Sequence, residues 1–246
     1  MNPPGVIVSL SPHSKCLHCY LILMPQAVFW DFGGVLTTSP FAAFATFERQ
    51  HGLPEGFLRT VNSHNLNTNA WAQLERGEID LAGFEQVYRA ETAAFGHPLS
   101  GRAVLGLLYG ELQPAMVAAL RRCRAHFRTA CLTNNMPLPD TPDDPLVQQR
   151  DRIFEPVRPL FDYVFESSLM GLRKPDPAFF QHACQAMSLS AAEVVFLDDL
   201  GVNLKPARAL GMTTIKVESP AQALPQLEAV LGIALVDCLH THPNNV

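Results

Sequence analysis

The stretch Ala27-Val28-Phe29-Trp30-Asp31-Phe32-Gly33-Gly34 decides the fold. Four apolar residues closed by an acid and two glycines read as a strand buried on both faces, with Asp31 at its carboxyl end. Three later segments repeat the arrangement, each at the end of an apolar run or in the loop after one. They are Leu132-Thr133-Asn134, Arg173-Lys174-Pro175 and Leu197-Asp198-Asp199. In an open parallel sheet, ligands bind beyond the carboxyl ends of the strands, so residues distant in sequence converge there. Carboxylates, a lysine and a hydroxyl gathered at that edge outline a site for a phosphate and a metal.

The rest of the chain supports the sheet. Apolar runs at Ala27–Trp30 and at 129–132, 163–165, 194–197 and 213–217 alternate with helix-period segments. That order predicts an α/β, Rossmann-like parallel sheet with helices on both faces. Residues 114–127 place Met116, Leu120, Cys123 and Phe127 on one helical face. Pro177 fits a first helical turn, with Phe180, Ala183 and Met187 behind it, and a helix over 202–210 ends at Gly211.

Between the first two strands, residues 41–51, 68–76 and 81–95 read as amphipathic helices closed at Gly52, Gly77 and Gly96. This is a helical insertion, or cap. Its stripes, Leu81, Phe84, Tyr88, Glu91 and Phe95 on one helix and Trp71 with Leu74 on another, are expected to pack within the insertion. Residues 137–159, rich in Pro and Asp, read as a long loop near the site. The expected division is a leader at 1–24, a core at 25–38 and 111–235, a cap at 39–110 and a tail at 236–246.

Composition narrows the class of partner. A chain of 246 residues accommodates one large domain with an insertion and buries roughly 70–75% of its unfolded surface. Its net charge of −5 and pI near 6.0 argue against nucleic acid or an anionic membrane as the main partner. A small molecule fits better. The six cysteines, at 16, 19, 123, 131, 184 and 238, are too scattered for a secreted disulfide scaffold and point to a reducing, cytoplasmic setting. Cys16-Leu17-His18-Cys19 is a lone CxxC without the second pair a zinc site needs. The leader has no basic region, no cleavage site and no membrane-length apolar run, and the strand pattern starts just after Met24. It is expected to be disordered, or to precede a true start at Met24. His240 and His242 read as part of a solvated tail, not a metal site.

Taken together, the four segments resemble those of the haloacid dehalogenase (HAD) superfamily with a helical cap after the first motif, over residues 27–231. The stretches Leu74-Glu75-Arg76-Gly77-Glu78-Ile79 and Asp198-Asp199-Leu200-Gly201-Val202-Asn203 resemble one branch in particular. That branch includes the N-terminal phosphatase domain of mammalian soluble epoxide hydrolase and the similar domain fused to some acyl-CoA dehydrogenases.

The resemblance implies Asp31 as nucleophile and Lys174 as the charge holding phosphate and nucleophile together. It implies Thr133, Asn134 and Lys174 as phosphate ligands, Asn134 through its backbone N–H. Mg²⁺ would be held by Asp31, the carbonyl of Gly33, and Asp198 or Asp199. The physical need is plain: a carboxylate attacking an anionic phosphoryl group requires cations to bring the two into reach.

The departure is Gly33. Phosphatases of the superfamily carry Asp there to protonate the leaving alcohol, and dehalogenases commonly carry Tyr. General acid catalysis contributes about 10²–10⁴-fold, so poor leaving groups suffer most from the loss. The expected function is a Mg²⁺-dependent phosphohydrolase acting on a small phosphate ester or activated phosphate through an aspartyl-phosphate. Dehalogenation and phosphate binding with little turnover are the alternatives, and an apolar cap face could meet a second copy in a homodimer.

Overall fold

The computed structural model describes residues 24–241, so the leader, the Cys16–Cys19 motif and His242 lie outside the described residues. At its centre β1 (Ala27–Trp30) is wholly buried. It pairs in parallel with β2 (Arg128–Thr133) on one side and β4 (Val194–Asp198) on the other. β3 (Tyr163–Glu166) and β5 (Thr213–Lys216) complete a five-stranded parallel sheet in the order β3-β2-β1-β4-β5.

Register positions the site. Trp30 stands level with Cys131 and Leu197, so Asp31, Thr133, Asp198 and Asp199 all emerge at the carboxyl edge.

Side chains alternate across the pleat, and each face is covered by its own helices. Val28 and Trp30 pack against α6 (Pro114–Arg124) and α11 (Pro220–Leu231), through Met116, Leu120, Leu224 and Leu227. Ala27 and Phe29 pack against α9 (Pro177–Ala186) and α10 (Gly201–Ala209), through Phe179, Phe180, Leu204 and Ala207. Start signals sit where capping requires them. The Asp176 side chain accepts from Ala178 N at 2.9 Å, with Pro177 in the first turn. Between β3 and α9 lies the single turn α8 (Ser167–Met170).

The insertion holds five helices: α1 (Phe41–Gln50), α2 (Phe57–Ser63), α3 (Ala70–Glu75), α4 (Leu81–Ala94) and α5 (Gly101–Leu105). Three of them match the expected helices, and the short α2 and α5 are additional. The insertion has its own core, in which Leu58, Leu74, Phe84 and Tyr88 are fully buried. Carboxylates finish its helix ends. Glu48 accepts from Gly56 N and Leu58 N, both at 2.9 Å, capping α2, whose N-cap Gly56 has no side chain to do so. Glu91 accepts from Ala70 N at 2.9 Å at the start of α3.

The chain enters and leaves the insertion through a zipped neck. Thr38 N donates to Glu111 O and Gln113 N to Leu36 O, each at 2.8 Å, flanking an antiparallel bridge between Thr37 and Leu112.

Two expectations are corrected. Residues 137–159 are not all loop, because they contain α7 (Pro145–Phe154). Asp144 caps it by accepting from Leu146 N, Pro145 occupies its first turn, and Leu146, Val147, Ile153 and Phe154 are buried. Nor are residues 236–241 wholly a solvated end: Val236, Asp237 and His240 are exposed as expected, but Cys238 is buried. A 3₁₀ turn at Val236–His240 buries Cys238 against the core, while Arg122 ties the segment down through Ala234 O and Asp237. Among the described residues, no helix is long and apolar enough to cross a membrane.

Candidate active site

Asp31 follows the last residue of β1, anchored by its N–H to Leu197 O at 2.9 Å. The chain then turns sharply, Leu36 N and Thr37 N both returning to Phe32 O. Two adjacent glycines behave differently here. Gly34 has φ +74°, and a Cβ on it would collide with the Asp199 carboxylate. Gly33 has no positive φ, and nothing lies within 4 Å of a Cβ built there.

Lys174, in the loop between α8 and α9, is buried to 1% exposure. Its ammonium donates to Asp31 Oδ1 and to Asp198 Oδ2, both at 2.8 Å, and lies 5.6 Å from the centre of the Phe196 ring. Asp198 is saturated. Besides Lys174, its oxygens accept from Leu200 N at 2.8 Å and from Asn203 Nδ2 at 3.0 and 3.1 Å. Asp199 is only half-buried, and oxygens of Asp31, Asp198 and Asp199 all lie within 4.8 Å of one another.

Three carboxylates sharing one ammonium leave surplus negative charge. Burial pushes Asp31 up, Lys174 opposes it, and Asp198 and Asp199 add to the rise, so the group titrates at about 8. Burial followed by repulsion from Asp198 lifts Asp199 to about 6. For Lys174, burial acts downward, but Asp198 and Asp31 outweigh it and hold the ammonium above its usual range.

These groups open into a cavity of about 480 Å³. Asp31, Gly33, Thr133, Asn134, Lys174 and Asp199 line its polar end, and most of the remaining wall is apolar, with Phe44, Met136, Ile153 and Phe154 among its residues. Phe41, Leu66, Leu200 and Val202 also border it while remaining exposed to solvent.

All the sequence-predicted site residues therefore meet in one place. The Asn134 side chain also clamps the lysine backbone, its Oδ1 accepting from Lys174 N at 2.8 Å and its Nδ2 donating to Lys174 O at 2.9 Å. Sequence reasoning missed Trp71, which lines the cavity as well as packing on Phe84 and Tyr88. It also missed Arg150, Ile153 and Phe154, which α7 brings to the cavity wall. Asp144 followed by Pro145 is the signal that could have found them.

The chain belongs to the haloacid dehalogenase-like hydrolases, whose family model matches residues 25–211. It is 37% identical over 219 residues to acyl-CoA dehydrogenase family member 10 of Mus musculus, covering 85% of this chain and 19% of that protein. It is 32% identical to bifunctional epoxide hydrolase 2 of Sus scrofa, covering 86% of this chain and 40% of that protein. The chain thus spans well under half the length of these two relatives. A sesquiterpene phosphatase of Aspergillus oryzae is 30% identical over 84% of this chain and 97% of its own. Among solved structures, a HAD family enzyme of Bacteroides thetaiotaomicron in complex with magnesium and inorganic phosphate shares the fold. Its TM-score is 0.55 at 20% identity, over 78% of this chain and 93% of that one.

Proposed function

We propose that the protein is a Mg²⁺-dependent phosphohydrolase whose substrate is a small phosphate ester or activated phosphate with an apolar leaving group. The observation that carries this reading is the buried Lys174 ammonium, held at 2.8 Å from Asp31 at the floor of a largely apolar cavity. The relative named as a sesquiterpene phosphatase supports an apolar substrate.

An all-oxygen set of carboxylates with surplus negative charge suits a hard divalent cation. Asp31, Asp199 and the carbonyl of Gly33 would hold it. Asp198 is the weaker candidate, because its oxygens are engaged by Lys174, Asn203 and Leu200; its role is to fix the lysine. The closeness of Gly34 to Asp199 fits this assignment, since a side chain there would displace Asp199. When bound, Mg²⁺ supplies positive charge to the phosphoryl oxygens.

In the reaction, an Asp31 oxygen bonds to phosphorus as the ester P–O bond breaks, and the leaving oxygen takes that electron pair. Lys174 and the Thr133 hydroxyl hold the phosphoryl oxygens, with the backbone N–H of Asn134. Water then cleaves the aspartyl-phosphate, releasing phosphate and free Asp31. With Gly33 in place of an acid, solvent supplies the proton to the leaving oxygen, which favours leaving groups that need none. The helical insertion at 39–110 serves as a cap that walls the cavity. The four described cysteines are free thiols, which fits a reducing, cytoplasmic setting.

The test is steady-state hydrolysis of p-nitrophenyl phosphate with Mg²⁺, with EDTA, and by Asp31→Asn. Turnover that needs both metal and Asp31 is expected. No turnover by folded, Mg²⁺-bound protein would overturn the reading.

A further inference from the structure

Glu75 is the last residue of α3, in the helical insertion, and it touches the core through two donors on one oxygen. Its Oε2 accepts from Arg173 Nε at 2.5 Å and from Asn134 Nδ2 at 3.1 Å. These partners lie 98 and 59 residues away in sequence, so the contact is purely tertiary. Arg173 also donates to Leu66 O, a second insertion group, at 2.9 Å. Asn134 in turn grips both sides of the Lys174 residue, accepting from its N–H and donating to its carbonyl.

The chain of contacts therefore runs Glu75 to Arg173 and Asn134, then to the Lys174 backbone, then to the ammonium between Asp31 and Asp198. The side chains of Glu75 and Arg173 are 17% and 15% exposed, so their charge-assisted bond is largely shielded from water. Apolar packing alone would seat the insertion on the core without fixing the lysine. A carboxylate bonded to the residue before Lys174 and to the amide clamping Lys174 does fix it.

We propose that Glu75 is a positioning residue: it reports the seating of the helical insertion to Lys174, so that the ammonium is held in line only when the insertion is in place. The rate consequence rests on the phosphohydrolase reading; the structural coupling does not. Displacements of about 1 Å at reacting groups cost on the order of 10²-fold, and a partly preserved clamp should cost less.

The experiment compares the whole 246-residue chain as wild type, Glu75→Gln and Arg173→Gln. One readout is p-nitrophenyl phosphate hydrolysis with Mg²⁺. The other is the side-chain ammonium signal of Lys174 in ¹H–¹⁵N NMR, assigned by its loss in Lys174→Met. The expected result for both variants is about tenfold lower kcat with KM changed less than about threefold, and Lys174 ammonium exchange with water faster by at least about tenfold. Glu75→Asp, which keeps the charge, should recover part of both. A lowered Tm with kcat and ammonium exchange within about twofold of wild type would make Glu75 a mere strut and overturn the proposal. If Glu75→Gln fails to fold, Arg173→Gln decides in the same way. If wild type shows no turnover, the phosphohydrolase reading falls, and the ammonium readout still decides whether Glu75 positions Lys174.

Discussion

Lys174 Nζ lies 2.8 Å from Asp31 Oδ1, and both residues are buried, with Asp198 equally close on the other side of the ammonium. A lone buried charge is costly, and this lysine is stable only because carboxylates surround it. The reverse also holds: Asp31 and Asp198 depend on the lysine.

Replacing Lys174 by Met should therefore do more than stop turnover. It leaves the fully buried Asp198 without its cation and beside Asp31, at a cost of about 3–5 kcal/mol in unfolding free energy. Urea unfolding of metal-free protein measures it. The double variant Lys174→Met, Asp198→Asn should be less destabilised than the single one, and an equal or larger loss would contradict the shared-charge account.

The two glycines should respond oppositely to substitution. Gly33→Asp meets open space and an ordinary backbone, so it should fold normally and raise alkyl phosphate hydrolysis by up to about 10²–10⁴-fold while changing aryl phosphate hydrolysis far less. Equal gains on both substrates would count against proton supply as the deficit. Gly34→Ala meets a left-handed backbone and the carboxylate of Asp199. It should weaken Mg²⁺ binding, measured by calorimetry, and lower Tm.

Acidity and metal should be linked. Asp31 titrates at about 8 in the metal-free site, above its unfolded value of 3.8, so the native state holds its proton longer than the unfolded chain does. Stability from this group is greatest at low pH and is lost as pH rises from about 4 to 8. Asp199, raised to about 6, acts in the same direction over a narrower window. Mg²⁺ held by Asp31 and Asp199 would displace these protons, so the Tm increase on adding it should grow between about pH 6 and pH 8. A Mg²⁺ effect that shrinks over that range would contradict the assignment.

Glu48 offers a test remote from the chemistry. Glu48→Ala leaves Gly56 N and Leu58 N without their acceptor, at a cost of about 1–3 kcal/mol. Tm should fall by roughly 2–4 °C per kcal/mol, with the Mg²⁺ affinity of the core unchanged.

The central strands were legible because burial on both faces turns them into unbroken apolar runs, as at Ala27–Trp30 and Val194–Leu197, whereas the edge strands β3 and β5 carry exposed Tyr163, Thr213 and Lys216. The positions at the strand ends were legible for the same reason: register alone brings Asp31, Thr133 and Asp198 to one edge. The helix α7 was obscured by the prolines and aspartates around it, although Asp144 and Pro145 are themselves start signals. The choice between Asp198 and Asp199 was not legible, because it depends on Lys174 and Asn203 reaching Asp198 from elsewhere. Glu75 was visible only as part of a family-like stretch, since its partners lie far along the chain.

The zipped neck at Thr37 and Leu112 also has an architectural consequence. Because the ends of the five-helix insert are pinned side by side, the sheet sees the same short crossover whatever hangs from it. The hanging part can therefore vary in sequence while the strand pairing it interrupts stays the same. Changes in the hanging part reach the lysine loop through Glu75 and Leu66, which bond Arg173 and Asn134.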